Sequence, residues 1–247
     1  MSELDTISTI TAIAGPTGNI GASFYFHPAT VAASKEMGLD GFKMYILGRG
    51  GVLGDAPASV VSAAFGYFNP AVIAGTWEKA KSIVAPLEAA QAYFDMCGAV
   101  GRDAFADIDE SVLADYVAAA DVVISSASPA GLALFAGIAD LRCAEDAAAC
   151  AIQKAAVLRE LRGSAHLCAV LACGLTDAQA HAIKRPGDVA MFGWEEAPAT
   201  PIDGNERMEA AEAATNVILE PAFAALSDEQ AAALIAGTNA MAAALGV

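Results

Sequence analysis

Apolar residues recur along this chain in blocks of helical spacing, and each block is bounded by glycine, proline or a capping residue. Pro28 suits the first turn of a helix that ends at Gly38, because proline fixes a helical φ and glycine favours helix C-termini. Asn69-Pro70 and Asp109 are typical N-terminal signals of two further helices. Strand-like alternation of apolar and polar residues is rare, so the chain is predicted to be all-α. The predicted helices span 28–37, 40–48, 57–68, 69–83, 109–123, 205–219 and 227–245, and another begins at 86.

The second half of the chain predicts a helix, a tight glycine turn and another helix. A long helix is expected over 144–161, with its end at Gly163. A short helix over 164–172 follows, Gly174 closes it, and the next helix begins at Thr176-Asp177. This succession is the outline of a helix-turn-helix.

One segment near the N-terminus also fits a different fold. Thr6 to Ala14 could form a strand, and Gly15 to Gly21 then matches GxxGxxG, a variant of the loops that bring backbone close to a phosphate. Asp121 to Ser125 would supply a second strand of the same sheet. A doubly wound sheet needs several alternations of strand and helix, however, and the second half of the chain offers none. We therefore prefer the all-α interpretation.

The charge of the chain limits its partners. Lys and Arg number 13 against 29 Asp and Glu, which gives a formal net charge of −16. Binding to duplex DNA draws on basic residues that neutralise phosphates, so this charge weighs against it. The basic residues that would make such contacts are Arg159, Arg162, Lys184 and Arg185. Duplex DNA is therefore not the expected partner, although a local basic patch could still bind it.

Neither a membrane span nor a secretory leader is expected. Apolar stretches such as 131–141 are shorter than the ~20 residues that cross a bilayer. The first six residues are acidic and lack the basic-then-apolar order of a signal peptide. The five cysteines form no CxxC pair and show no zinc-site spacing, so reduced thiols and no metal site are expected. These features indicate a cytoplasmic protein.

A family resemblance is carried by the stretch from Leu158 to Leu175. It reads LRELRGSAHL and then, after Cys168, AVLACGL. It resembles the pattern LREHRGDGHxxALxxxGL of actinobacterial helix-turn-helix-like proteins of unknown function. Segments around Arg49, Asn69 and Glu212 resemble that family's YFxxRAAPLG, FYNFxP and EAATD in the same order. The resemblance implies the architecture of this family and no particular reaction.

Two departures from the family pattern bear on function. The family's RGDGH is Arg162 to His166 here and reads RGSAH, so its aspartate is lost. After Trp194 the family continues through a further helix and a hairpin wing, whereas this chain reaches Arg207 after a short proline-rich link. The resemblance therefore implies a shortened wing and weaker grounds for DNA binding.

Five polar side chains are the candidate ligand-binding residues: Tyr25, His27, Arg49, Asn69 and His166. Arg49 lies beside glycines that leave its guanidinium accessible, and that planar fork suits a carboxylate or phosphate. Alternatively, Arg49 locks its loop by bonding carbonyls at the helix end. His166 is placed at a helix start, where the helix dipole favours a neutral ring that accepts a proton. Alternatively, His166 only caps or packs its helix.

We predict a two-lobed helical protein with a ligand cavity in the lobe over 1–135 and a reduced, winged-helix-like helix-turn-helix lobe over 136–247. The leading hypothesis is a small-molecule-binding protein, a sensor or a carrier, with its pocket between helices. A DNA-binding transcriptional regulator is the second hypothesis. An enzyme or haem protein, in which His27 or His166 acts beside Arg49, is the third. Homodimer formation is left open.

Overall fold

The computed structural model describes residues 5–247, and this part of the chain holds twelve α-helices and no β-strand. The helices are α1 (Thr6–Ile20), α2 (Pro28–Glu36), α3 (Gly41–Gly50), α4 (Ala58–Phe65), α5 (Pro70–Lys81), α6 (Pro86–Ala104), α7 (Glu110–Ser126), α8 (Ala133–Ala139), α9 (Ala147–Ala172), α10 (Asp177–Lys184), α11 (Gly204–Phe223) and α12 (Asp228–Leu245). Short 3-10 turns follow α3 and α10. The all-α prediction is confirmed, and no hairpin wing occurs between residues 5 and 247.

Most helices begin at the residues whose side chains can cap them. The Asp40 carboxylate accepts the Lys43 amide at 2.8 Å, and the side-chain oxygen Oδ1 of Asn69 accepts the Ala71 amide at 3.0 Å. Ser227 forms a reciprocal capping box at the start of α12. These hydrogen bonds satisfy amide groups that have no partner inside the helix, so the local sequence favours the observed starts of the capped helices.

The helix predicted to end at Gly163 does not end there. α9 runs without a break to Ala172, so the predicted helices over 144–161 and 164–172 are one. A glycine inside a helix costs only about 1 kcal/mol relative to alanine, and burial of Ala169 and Val170 offsets that cost. The helix-turn-helix outline persists, with its turn at Gly174, where φ is +78°.

The alternative interpretation as a nucleotide-binding sheet is wrong. Thr6 to Ala14 lies in α1, whose first turn the Asp5 carboxylate caps by accepting the Ser8 amide at 2.8 Å. Gly15 and Gly18 lie inside the same helix and form no phosphate loop. Residues 121–125 likewise belong to α7.

The long helix α9 is the centre of the packing. It contacts α1, α6, α7, α8, α10 and α11, and its buried residues lie on several of its faces. A helix without one polar face is typical of a buried central element. Two of its buried side chains, Gln153 and Glu160, are polar and need partners inside the protein.

Buried residues from 1–135 and from 136–247 join in one main core, which includes Trp77 and Tyr116 as well as Leu158 and Leu234. A smaller cluster around Val170 supports the helix-turn-helix region. The division into two lobes at residue 135 stays a prediction.

None of the helices between residues 5 and 247 combines the length and the apolar composition that a membrane crossing requires. The expectation of no leader concerns residues 1–6, and of these residues 1–4 lie outside the described part of the chain.

Candidate functional site

A buried ion pair joins α3 to α9. Arg49, in the last turn of α3, donates from Nε to Glu160 Oε1 at 2.7 Å and from Nη2 to Glu160 Oε2 at 2.9 Å. The Arg49 side chain is 12% exposed and the Glu160 side chain only 3%. The two parallel hydrogen bonds form a bidentate, charge-assisted pair, which is the strongest geometry available to these groups.

Three further groups complete this cluster. Glu160 Oε1 also accepts from Arg159 Nη1 at 3.0 Å and from the Tyr25 hydroxyl at 3.3 Å. Arg49 Nη1 donates to the Tyr45 hydroxyl at 3.1 Å. Burial alone would raise the pKa of Glu160, but the charges of Arg49 and Arg159 and the hydrogen bonds to the carboxylate lower that pKa to about 2. The carboxylate is therefore ionised throughout the physiological range.

A cavity that is partly open to solvent lies beside the ion pair, and the empty space between its walls, with open solvent included, is about 360 Å³. Its polar wall consists of Tyr25, Arg49 and Glu160. The rest of the lining is mainly apolar: Phe24, Val52, Ala90, Tyr93, Phe94, Leu134, Ile138, Leu141 and Ala156. Gly48 permits this arrangement, because a Cβ at that position would come within 2.5 Å of the Tyr93 side chain. Residues on both sides of position 135 line the cavity.

The structure brings together only two of the five residues predicted as ligand anchors. Tyr25 and Arg49 meet at Glu160. His27 is exposed and caps α2, where its Nδ1 accepts the Ala29 amide at 3.3 Å. Asn69 caps α5 and donates from Nδ2 to the Gly193 carbonyl at 3.0 Å. In the structure, His27 and Asn69 therefore act as helix caps that hold the backbone in place.

His166 lies in a second polar cluster between α9 and α11. Its Nδ1 is 2.9 Å from the Thr215 hydroxyl, which itself donates to the Ala211 carbonyl at 2.6 Å. Since that hydroxyl has a single hydrogen, His166 Nδ1 must be the donor, which leaves Nε2 as an acceptor. Nε2 is 3.9 Å from Glu212 Oε1, and Glu212 Oε2 is held by Arg162 Nη2 at 2.6 Å.

The expected position of His166 at a helix start is wrong, because α9 is continuous there. Its pKa is lowered all the same, by burial, with Arg162 and Lys184 acting in the same direction and Glu212 against it. The ring is therefore neutral near pH 7 for a different reason from the one expected.

Tyr67 is a residue that the sequence interpretation missed. It has a φ of +59°, which is unusual for a non-glycine residue, and its hydroxyl is buried without a hydrogen-bond partner in the described structure. Burial raises its pKa to about 12, and the charges of Asp177 and Glu212 add to this effect. Its backbone is held on both sides, since its amide donates to Asp177 and its carbonyl accepts from Trp194 Nε1. The signal in the sequence was its place in the segment resembling FYNFxP.

Glu160 was missed as well, although it is the centre of the first cluster. Its signal was the spacing from Gln153, since residues seven apart share one face of a helix. Both side chains are buried on α9.

Of the four basic residues named for DNA contacts, two are engaged within the protein and two are exposed. Arg159 packs its guanidinium 4.9 Å from the centre of the Tyr25 ring, and Arg162 is paired with Glu212. Lys184 and Arg185 have side-chain exposures of 68% and 64%. No group of three or more His, Cys, Asp or Glu side chains in the described residues is arranged to hold a metal ion.

Comparison with known proteins identifies the family. A model of a helix-turn-helix family matches residues 12–197, which is most of the chain, and the protein belongs to this family. No curated protein and no solved structure matches the chain.

Proposed function

We propose that this member of the helix-turn-helix family binds a small molecule in the cavity beside Arg49 and Glu160 and serves as a sensor or a carrier. The observation that supports the proposal is a buried, charged cluster in the wall of a mainly apolar cavity. Ligand sites in helical proteins combine these two features, since the apolar lining provides affinity and a few polar groups fix orientation.

The cost of burying the cluster favours a functional role over a purely structural one. Replacing a buried ion pair by apolar residues of similar volume is often neutral or stabilising, so such a pair is weak evidence for a stabilising role. Titratable groups with strongly shifted pKa values in a cleft, by contrast, are typical of functional sites. Glu160 satisfies that description, with a pKa of about 2 and a place in the cavity wall.

The finer relationship to the actinobacterial members is part of the same proposal. The motif residues that carry the resemblance supply both polar clusters: Arg49 the first, and Arg162, His166 and Glu212 the second. These motif residues lie far apart in sequence, and the fold brings them together in two polar clusters.

Native mass spectrometry of the protein purified from its own source tests the proposal. The wild type should retain a small molecule. Ile138→Trp should lose it, because the larger side chain fills the cavity that Ile138 lines. Ala133→Trp is the matched control, since Ala133 is exposed on the same helix and does not line the cavity.

Two results would contradict the proposal. One is a wild type that shows only the mass of the bare chain and gains no thermal stability from a small-molecule extract of its source. The other is a molecule retained equally by Ile138→Trp, which would place the binding elsewhere.

A DNA-binding regulator is the second candidate, because the chain belongs to a helix-turn-helix family and because Lys184 and Arg185 at the end of α10 are exposed. Against it, Arg159 and Arg162 are engaged within the protein, and the net charge is −16. We expect random duplex to bind no more tightly than tens of micromolar at physiological salt, measured by fluorescence anisotropy. Submicromolar binding that weakens steeply with salt would favour the regulator.

A further inference from the structure

We propose that the cavity takes a monoanionic ligand, a carboxylate on an apolar body, with the carboxylate facing Arg49. This inference rests on the proposed function and goes further, because it names the chemical class of the ligand. It follows from the charges, the free hydrogen-bond donors and the lining of the cavity.

The cluster carries one more positive charge than negative. Within residues 5–247, the ion pairs of Arg49 and of Arg159 both end on Glu160. The side-chain exposures are 12% for Arg49, 28% for Arg159 and 3% for Glu160, so water solvates this charge only in part. A partly buried guanidinium without its own counterion favours an anion at the site. One excess positive charge matches a single negative charge on the ligand.

Arg49, which lines the cavity, also has donors to spare. A guanidinium has five N–H groups. Arg49 uses three of them within the described structure, two on Glu160 and one on Tyr45. The two remaining N–H groups of Arg49, one on each Nη, can donate to the oxygens of a carboxylate, which is the acceptor that matches the guanidinium fork.

The rest of the cavity suits a hydrocarbon. Leu134 and Ile138 of α8 contribute to its lining, and so do Leu141, Val52 and Phe94. Burying apolar surface against such a lining is favourable in proportion to its area. A ligand with its charge at one end only therefore fits the division of the cavity into a polar wall and an apolar lining.

Calorimetric titration with matched head groups tests the inference. The probes are octanoate, octanol and octylamine, together with phenylpropanoate, phenylpropanol and phenylpropylamine, so that each apolar body appears with an anionic, a neutral and a cationic head. We expect the carboxylates to bind about tenfold or more tightly than the alcohols, because they gain charge-assisted hydrogen bonds. The amines should show no binding.

Three arginine variants distinguish the loss of charge from a general loss of structure. Arg159→Gln removes the excess charge but keeps the Arg49–Glu160 pair, so the preference for carboxylate over alcohol should fall about tenfold. Arg185→Gln makes the same chemical change at an exposed position of the chain and should leave the preference unchanged. Arg159→Lys keeps the charge and should retain most of the preference. If Arg159→Gln does not fold, the head-group series on the wild type decides alone.

An alcohol or amine that binds as tightly as its carboxylate would overturn the inference. So would the failure of both carboxylates to bind at millimolar concentration. In either case, retention of a neutral or cationic molecule by the wild type and not by Ile138→Trp would leave the proposed function intact. If the wild type retains no molecule and binds none of the six probes, the proposed function fails as well.

Discussion

Glu160→Gln is the substitution that tests the buried cluster most directly. The amide has nearly the shape of the carboxylate but no charge, so Arg49 and Arg159 lose their only counterion within residues 5–247. A fall in the pKa of Glu160 from its usual 4.5 to about 2 corresponds to about 3 kcal/mol of folding free energy. Breaking one partner of a buried ion pair costs about 3–5 kcal/mol, which agrees. For a chain of this size, about 3 kcal/mol lowers the melting temperature by roughly 6–12 °C.

The pH dependence of the unfolding free energy distinguishes the loss of the Glu160 charge from a packing defect. Because the pKa of Glu160 is lower in the folded state than in the unfolded state, its stabilising effect is complete above the unfolded pKa near 4.5. The effect is lost as the pH falls toward 2. The difference in unfolding free energy between the wild type and Glu160→Gln should therefore be largest at about pH 7 and shrink below about pH 5. Urea unfolding followed by circular dichroism at about pH 7, 5 and 3 measures it.

Glu209→Gln is the control, since Glu209 is exposed on a helix and undergoes the same chemical change. Its unfolding free energy should stay within about 0.5 kcal/mol of the wild type at pH 7. A Glu160→Gln variant as stable as the wild type, or a loss of stability that does not change with pH, would refute the reasoning.

Two further substitutions compare a cap with a surface ion pair. Asn69→Ala should cost about 1–2 kcal/mol in urea unfolding, because it removes both the cap of α5 and the hydrogen bond to the Gly193 carbonyl. Arg102→Ala should cost less than about 1 kcal/mol in the same assay, because both side chains of its ion pair with Asp146 are about half exposed. An equal loss for the two would contradict the assignment of Asn69 to the backbone structure.

The sequence predicted well those features that depend on neighbouring residues. The starts of α3, α5, α7 and α12 follow from the capping side chains just before them. The end predicted at Gly163 was wrong because tertiary packing decides whether a glycine interrupts a helix. α9 is buried along most of its length, and this burial outweighs one unfavourable residue.

In the candidate site, too, the sequence predicted what neighbouring residues determine and missed what distant contacts determine. Arg49 was identified from its chemistry and its glycine-rich surroundings, but its partner Glu160 lies 111 positions further along the chain. No local pattern connects them, because only the packing of α3 against the rest of the core brings them together. Tyr67 was missed for a related reason, since its strained backbone is held by Asp177 and Trp194 from distant segments.

His166→Gln tests whether His166, in the polar cluster between α9 and α11, makes the stability of the protein depend on pH. Burial is the main cause of the lowered pKa of His166 in the folded protein, and it outweighs the attraction of Glu212. As the pH falls through about 6.5, the unfolded chain therefore binds more protons than the folded protein. The wild type should therefore lose stability on acidification from about pH 7.5 through this range. Glutamine keeps a donor for the Thr215 hydroxyl but does not titrate, so the variant should show a flatter dependence in urea unfolding. His27→Gln is the control, since His27 is exposed at the cap of α2. An unchanged slope in His166→Gln would mean that other groups cause the pH dependence.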